Sequence, residues 1–328
     1  MEKNKTKATM SFSQKVNAFI KRSPARMALI IAVLLYGVTV IAVPAALNPQ
    51  AISTITMLTL LLSFAAIGQT IVLIGGGLDL SVGAVMSAAA IFTTAIMDGQ
   101  DGRFFPALVV VLAMGAAVGF VNGICTTKIK LPALIVTLVI ANVVTQLQYV
   151  FTGGNPFGFA GPRFIQTVIG RVHGVPNLVF YALILFPLAF FILNRSRFGK
   201  QLYLMGNNPG AAHLGGINVN KIRILSYVMS GIFAGFAGML GAGFMQTAQA
   251  QMFDDYAFNS LIAVIIGGTT FAGGVGSFGG TVAGALLMVL LSNMLSTLQF
   301  SQPIRNLVLG GVLILLLIMY NRKKAVRE

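Results

Sequence analysis

The chain has 328 residues, 56% hydrophobic and 9% charged, with 22 Lys and Arg against 7 Asp and Glu, a formal net charge of +15. A soluble globular domain carries about 25% charged residues, so this composition excludes one and indicates an integral membrane protein. One cysteine, Cys125, excludes an intrachain disulfide and a cysteine metal cluster.

Apolar runs near 20 residues, the length that crosses the hydrocarbon as a helix, follow one another along the chain. In order they are 27–47, 52–74, 80–97, 104–125, 131–151, 175–194, 224–245, 257–271, 281–297 and 304–320. The alternating ten-residue segments of a β-barrel do not occur. The expected fold is all-α and polytopic, with about ten transmembrane helices in one membrane domain over 27–320. A basic segment, 1–26, precedes it and a basic tail, 321–328, follows. The run from Met27 exceeds the h-region of a signal peptide, about 7–15 residues, so a retained anchor is expected.

An even number of spans puts both termini on one side. If that side is the cytoplasm, 18 of the 22 Lys and Arg lie inside, and only Arg103, Arg163, Arg171 and Arg305 lie outside. The positive-inside rule produces this skew. The charge therefore reports orientation in a membrane and not a nucleic-acid partner.

Between the spans lie the segments that carry chemistry. Gly75-Gly76-Gly77-Leu78-Asp79-Leu80-Ser81 breaks the helical pattern with glycine and places a carboxyl at membrane depth, which costs roughly 2.5–3.5 kcal/mol on insertion scales. Asp79 or Ser81 is expected to cap the next helix. A compatible reading makes Gly76, Gly77, Asp79 and Ser81, with Asn259, part of a water-filled path. The outer loop 152–174 is rich in Gly and Pro and reads as ordered turns; a second outer loop, 246–256, holds Asp254 and Asp255. Glycines 115/119/123, 231/235 and 276/280/284 fall four apart, a face for close helix packing within one subunit or between two.

The segment 198–223 is a polar cassette, basic at both ends. Asn207-Asn208-Pro209 is a helix start, with Asn as cap and Pro in the first turn. Ala211, Ala212 and Leu214 then form a short helix that stops at Gly215-Gly216, before Ile217. A helix this short is unstable alone in water, so it is expected to dock on a partner. Gly267-Gly268 and Gly273-Gly274 permit a sharp reversal on the same side of the membrane.

Nucleotide chemistry finds no support. Gly274-Val275-Gly276-Ser277-Phe278-Gly279 matches G-x-G-x-x-G but follows a membrane span, and the only later acid is Glu328. No G-x-x-x-x-G-K-[ST] occurs. The two histidines, His173 and His213, fall on opposite faces of the expected topology. An ion-coupled secondary transporter would keep more intramembrane carboxylates than Asp79. An intramembrane enzyme would need a nucleophile–base pair, and none is evident.

Taken together, Gly76-Gly77-Leu78-Asp79-Leu80-Ser81-Val82-Gly83, VNGICTTKIKLPALIVTL at 121–138, SRFGK at 196–200, GNNPGAAHLGGINVNKIRI at 206–224 and AVIIGGTTFAGGVG at 263–276 resemble the permeases of bacterial ABC sugar importers. These belong to the branched-chain-amino-acid-permease superfamily, and the resemblance covers nearly the whole chain. It implies two permease subunits around a pore, cytoplasmic ATPase subunits docked on the cassette, and a periplasmic binding protein that delivers the solute. ATP-Mg would be used by the ATPase partner, with no cofactor in this chain beyond contact with membrane lipid. A nucleoside or amino-acid importer of the same superfamily is the alternative. Family members usually carry a Glu-Leu-Asp-Ala-type segment before the glycine reversal, where this chain has Tyr256-Ala257-Phe258-Asn259-Ser260.

Overall fold

All ten apolar runs fold as helices in the computed structural model, which describes residues 24–325. The basic residues Lys3, Lys5, Lys7, Lys15, Lys21, Arg22 and Arg327 lie outside that range. The helices are α1 (Pro24–Ala42), α2 (Pro49–Ile74), α3 (Val82–Met97), α4 (Phe104–Thr127), α5 (Ala133–Thr152), α6 (Pro162–Ile169) and α7 (Leu178–Asn194). After them come α8 (Arg197–Asn207), α9 (Pro209–Leu214), α10 (Val219–Met245), α11 (Tyr256–Ile266), α12 (Phe278–Thr297) and α13 (Gln302–Ala325). A two-stranded antiparallel ribbon, β1 (Arg171–Val172) with β2 (Val175–Pro176), sits between α6 and α7.

Six helices among the described residues are long and apolar enough to cross a membrane. A seventh arises if α7 and α8, bent by 58°, are taken as one span. Helices α3 and α11 fall short because they have only 16 and 11 residues; at 1.5 Å per residue they rise roughly 24 and 16 Å against a hydrocarbon core of about 30 Å. Both abut glycine-rich backbone, at Gly75-Gly76-Gly77 and Gly267-Gly268.

The cassette is more helical than expected. Residues 198–207 belong to α8, and α10 begins at Val219, five residues before the apolar run that announces it. The polar character of 198–223 hid an amphipathic period, since Phe198, Leu202 and Met205 recur at helical spacing and turn inward, Leu202 and Met205 being fully buried.

Three side-chain clusters share α2, which is almost wholly buried, and two of them hold most of the fold. The larger joins α2, α3, α4 and α10 with inward faces of α6, α7 and α8, through Phe64, Ile71, Met86, Val111, Phe164 and Met239 among others. The smaller joins α2 to α1, α11, α12 and α13 through Ala32, Leu62, Ile262, Met288 and Leu309. Helix α3 is apolar on nearly every side and is enclosed accordingly.

The glycine faces are used inside this chain. A Cβ at Gly231 would overlap the Gly115 carbonyl oxygen, and one at Gly115 would overlap that of Gly231. Gly119 lies against the Tyr227 backbone and Gly123 against Ile224, so α4 and α10 touch backbone to backbone. Gly280 and Gly284 do the same on Gly267 and Ala263, pressing α12 onto α11.

At the end far from the cassette, Asp101 accepts from the backbone N–H of Arg163 at 2.9 Å and of Phe164 at 3.1 Å, capping α6. Phe253 from the loop before α11 fills the space over Gly241, and its N–H donates to Ser87 Oγ at 2.9 Å. The loops over 152–174 and 246–256 are ordered in this way by side-chain caps and a bridge between Phe157 and Ala248.

Candidate functional site

Helix α9 forms as its residues dictate. Asn208 Oδ1 accepts from the Ala211 N–H at 3.0 Å, Pro209 occupies the first turn, and the chain leaves through Gly215 and Gly216, the latter at φ 80°. The helix is six residues long and lies against its own chain. Ala212 is 6% exposed and Ile217 9%, whereas Leu214 is 90% exposed. Asn207, Asn208, Pro209, Ala211, Gly215 and Gly216 are also on the surface. Ala212 thus anchors α9 inward, and Leu214 is the apolar side chain offered to solvent. An open hollow of about 630 Å³ separates α9 from the first turn of α10.

Three glycine-rich pieces meet beside α9. The Gly274 N–H donates to the Ile74 carbonyl at 2.8 Å, tying the reversal after α11 to the end of α2. Gly206, at the end of α8, presses against that same carbonyl and against Gly274, where a Cβ would find no room. Tyr203 Oη donates to the Gly276 carbonyl at 2.9 Å. Gly273 and Gly274 adopt φ of 80° and 72°, which favours glycine, and Gly273 rests on Gly76. Gly267 is buried on Gly280 and Gly268 turns the chain at φ 95°. Sequence reasoning assigned nothing to Gly206 and Tyr203; no local pattern marks a glycine whose need arises from another segment.

Farther along the break, Asp79 is 1% exposed. Its Oδ1 accepts from the Ser81 N–H at 2.9 Å and the Ser81 hydroxyl at 2.6 Å, and its Oδ2 accepts from the Ser230 hydroxyl of α10 at 2.7 Å. Ser81 Oγ in turn accepts from Asn122 Nδ2 of α4 at 2.8 Å. Asp79 closes a turn over Ser81, and the expected cap does not form: no side-chain oxygen of Asp79 or Ser81 accepts from the first turn of α3. Leu78 exchanges bonds with Tyr227 Oη, and the Leu80 N–H donates to Thr137 Oγ1 at 3.1 Å. Irregular backbone at membrane depth survives only where protein groups satisfy it, and here hydroxyls of neighbouring helices do so. Gly77 is half-buried, Gly76 exposed and Asn259 half-buried on α11, so Asp79 and Ser81 are sealed away from the other expected path residues.

This arrangement of broken helices around a glycine latch can be set against known proteins. Residues 51–317 match the family model described as branched-chain amino acid transport system / permease component. The chain belongs to this permease family. The permease is 35% identical over 263 residues to the ribose import permease protein of Escherichia coli strain K12, covering 79% of this chain and 82% of the relative. It is 31% identical over 289 residues to the ribose import permease protein of Bacillus subtilis strain 168, covering 85% and 88%. It is 32% identical over 320 residues to the fructose import permease protein of Rhizobium meliloti, covering 92% and 86%. No solved structure matches the permease. It is a multi-pass membrane protein of transport, as the resemblance implied.

Proposed function

We propose that the permease forms the membrane pathway of an ATP-driven importer for a monosaccharide. The observation that carries the substrate class is the similarity, over about four fifths or more of the chain, to relatives named for ribose and fructose import. The drive comes from outside the chain: α9 is a docked helix with an exposed leucine, latched through Gly206 and Gly274 to the break after α2. In this reading an ATPase subunit using ATP-Mg grips α9 at Leu214, Pro209 and His213, a second permease subunit completes the pore, and a periplasmic binding protein delivers the sugar. In this reading the chain crosses an even number of times and the side that collects Lys and Arg, with both termini and the cassette, is the cytoplasm, as the positive-inside rule favours. Asp79 has a structural duty, since its oxygens are already engaged.

Leu214→Asp tests this reading. Because Leu214 touches little of its own chain, the variant is expected to insert and melt like the parent. Sugar-stimulated ATP hydrolysis by the assembled transporter should fall at least about tenfold, as for loss of a central apolar anchor at an interface. Unaltered stimulation would remove α9 as the docking element. A Gly210→Cys variant in a Cys125→Ser background checks the orientation: a membrane-impermeant thiol reagent is expected to label it in inverted vesicles and not in intact cells.

A further inference from the structure

A cavity of about 260 Å³ opens between the start of α3, the middle of α5 and the loop leading into α11. Asn142 and Thr145 of α5 and Gln251 and Asp254 of the loop supply its polar wall, and Leu80 and Phe258 part of its apolar wall. These groups are fixed from behind. Gln251 sits at φ 63°, its N–H donates to Gln148 Oε1 at 3.3 Å, and its Oε1 accepts from Tyr149 Oη at 2.7 Å. Gln148 is itself held on the first turn of α3, donating to the Ala84 carbonyl at 2.9 Å. The Asn142 amide N–H donates to the Leu138 carbonyl at 3.1 Å, which leaves its Oδ1 free to accept. Asp254 Oδ1 is shielded from solvent and lacks a hydrogen-bond partner among the described residues. A shielded acceptor left unpaired costs free energy that an incoming O–H donor recovers.

We propose that this cavity is a solute-contact site on the membrane pathway and takes a neutral polyhydroxylated ring. Asp254 and Asn142 accept from ring hydroxyls, Thr145 gives a hydroxyl of either sense, and Phe258 with Leu80 meets the C–H face of the ring. The volume lies just below the range of drug-sized ligand sites, about 300–1,000 Å³, which suits one sugar ring. Burial pushes the Asp254 carboxyl above its ordinary value, the neighbouring Asp255 adds to the rise, and the Gln251 side chain opposes it. The inference rests on the sugar reading above and adds the residues that touch the solute.

The test uses cells expressing the complete transporter and radiolabelled D-ribose, D-fructose and D-galactose. For the sugar that the parent takes up, Asp254→Asn is expected to raise KM about tenfold, the loss of one charge-assisted hydrogen bond, with the maximal rate within about twofold. Independently, Asn142→Cys in a Cys125→Ser background should react with a small hydrophilic methanethiosulfonate, and the same sugar should slow that reaction about fivefold by occupancy. Unchanged KM in Asp254→Asn, or a labelling rate indifferent to sugar, overturns the assignment while the sugar reading stands. A parent that takes up none of the three sugars, yet imports an amino acid or nucleoside, overturns the sugar reading itself.

Discussion

Gly231→Leu is expected to leave almost no folded protein in the membrane. The α4–α10 crossing brings the Gly115 and Gly231 carbonyls against each other's Cα, and even the first carbon of a side chain overlaps backbone there. Overpacking of a well-filled core costs about 1–3 kcal/mol where side chains can give way. At this contact no side chain exists to move, so the two helices must separate and take the Gly119–Tyr227 contact with them. Since both partners are glycine already, no substitution on the opposite helix makes room. Gly37→Ala is the control: nothing lies within 4 Å of its Cβ position, and alanine favours a helix by roughly 1 kcal/mol. Fluorescence-detected size-exclusion chromatography of membranes solubilised in mild detergent should show a monodisperse peak for Gly37→Ala and none for Gly231→Leu. A normal peak and melting temperature for Gly231→Leu would mean that α4 and α10 do not cross at this point.

Asp79→Ala is expected to abolish transport by loosening the fold, and Asp79→Asn to spare most of it. Alanine leaves the Ser81 N–H, the Ser81 hydroxyl and the Ser230 hydroxyl without their acceptor in a place shut off from water. Each buried donor so stranded costs roughly 1–3 kcal/mol, so the three together cost about 3–9 kcal/mol, enough to threaten a protein of ordinary stability. Asparagine keeps one oxygen over Ser81 and presents its amide to Ser230, whose hydroxyl turns from donor to acceptor, at a cost of about 1 kcal/mol. Thermal melting in detergent, read beside uptake, separates the two variants. Asp79→Asn protein that melts like the parent but fails to transport would show that the negative charge itself is required.

How much of this was legible beforehand depends on the range of the interactions involved. Helix α9 could be read from Asn208, Pro209 and Gly215 because capping is local. Its orientation could not, since Ala212 and Leu214 are equally apolar and only the neighbouring helices decide which is covered. Helix α8 was legible in principle from Phe198, Leu202 and Met205, yet the lysine and arginine around them made the segment look like a loop. The glycine faces announced close packing, but not that Gly115 would find Gly231 rather than a second subunit. Asp79 stood out by charge alone, whereas Ser230, its partner 151 positions away, is one serine among many. The polar edge of α5, with Asn142, Thr145 and Gln148 three apart, was a periodic signal that the apolar span around it obscured.

Past Gly77 the irregular stretch up to Ser81 borrows hydrogen bonds from Tyr227, Thr137 and Ser230, side chains of two separate helices, and through Ser81 from Asn122 on a third. A regular helix keeps its bonds whatever its neighbours do. This stretch cannot: a shift of α4, α5 or α10 by a fraction of a bond length leaves amide groups stranded in an oily medium. It therefore behaves as a gauge of how far apart those three helices stand, stable at one separation and intolerant of others.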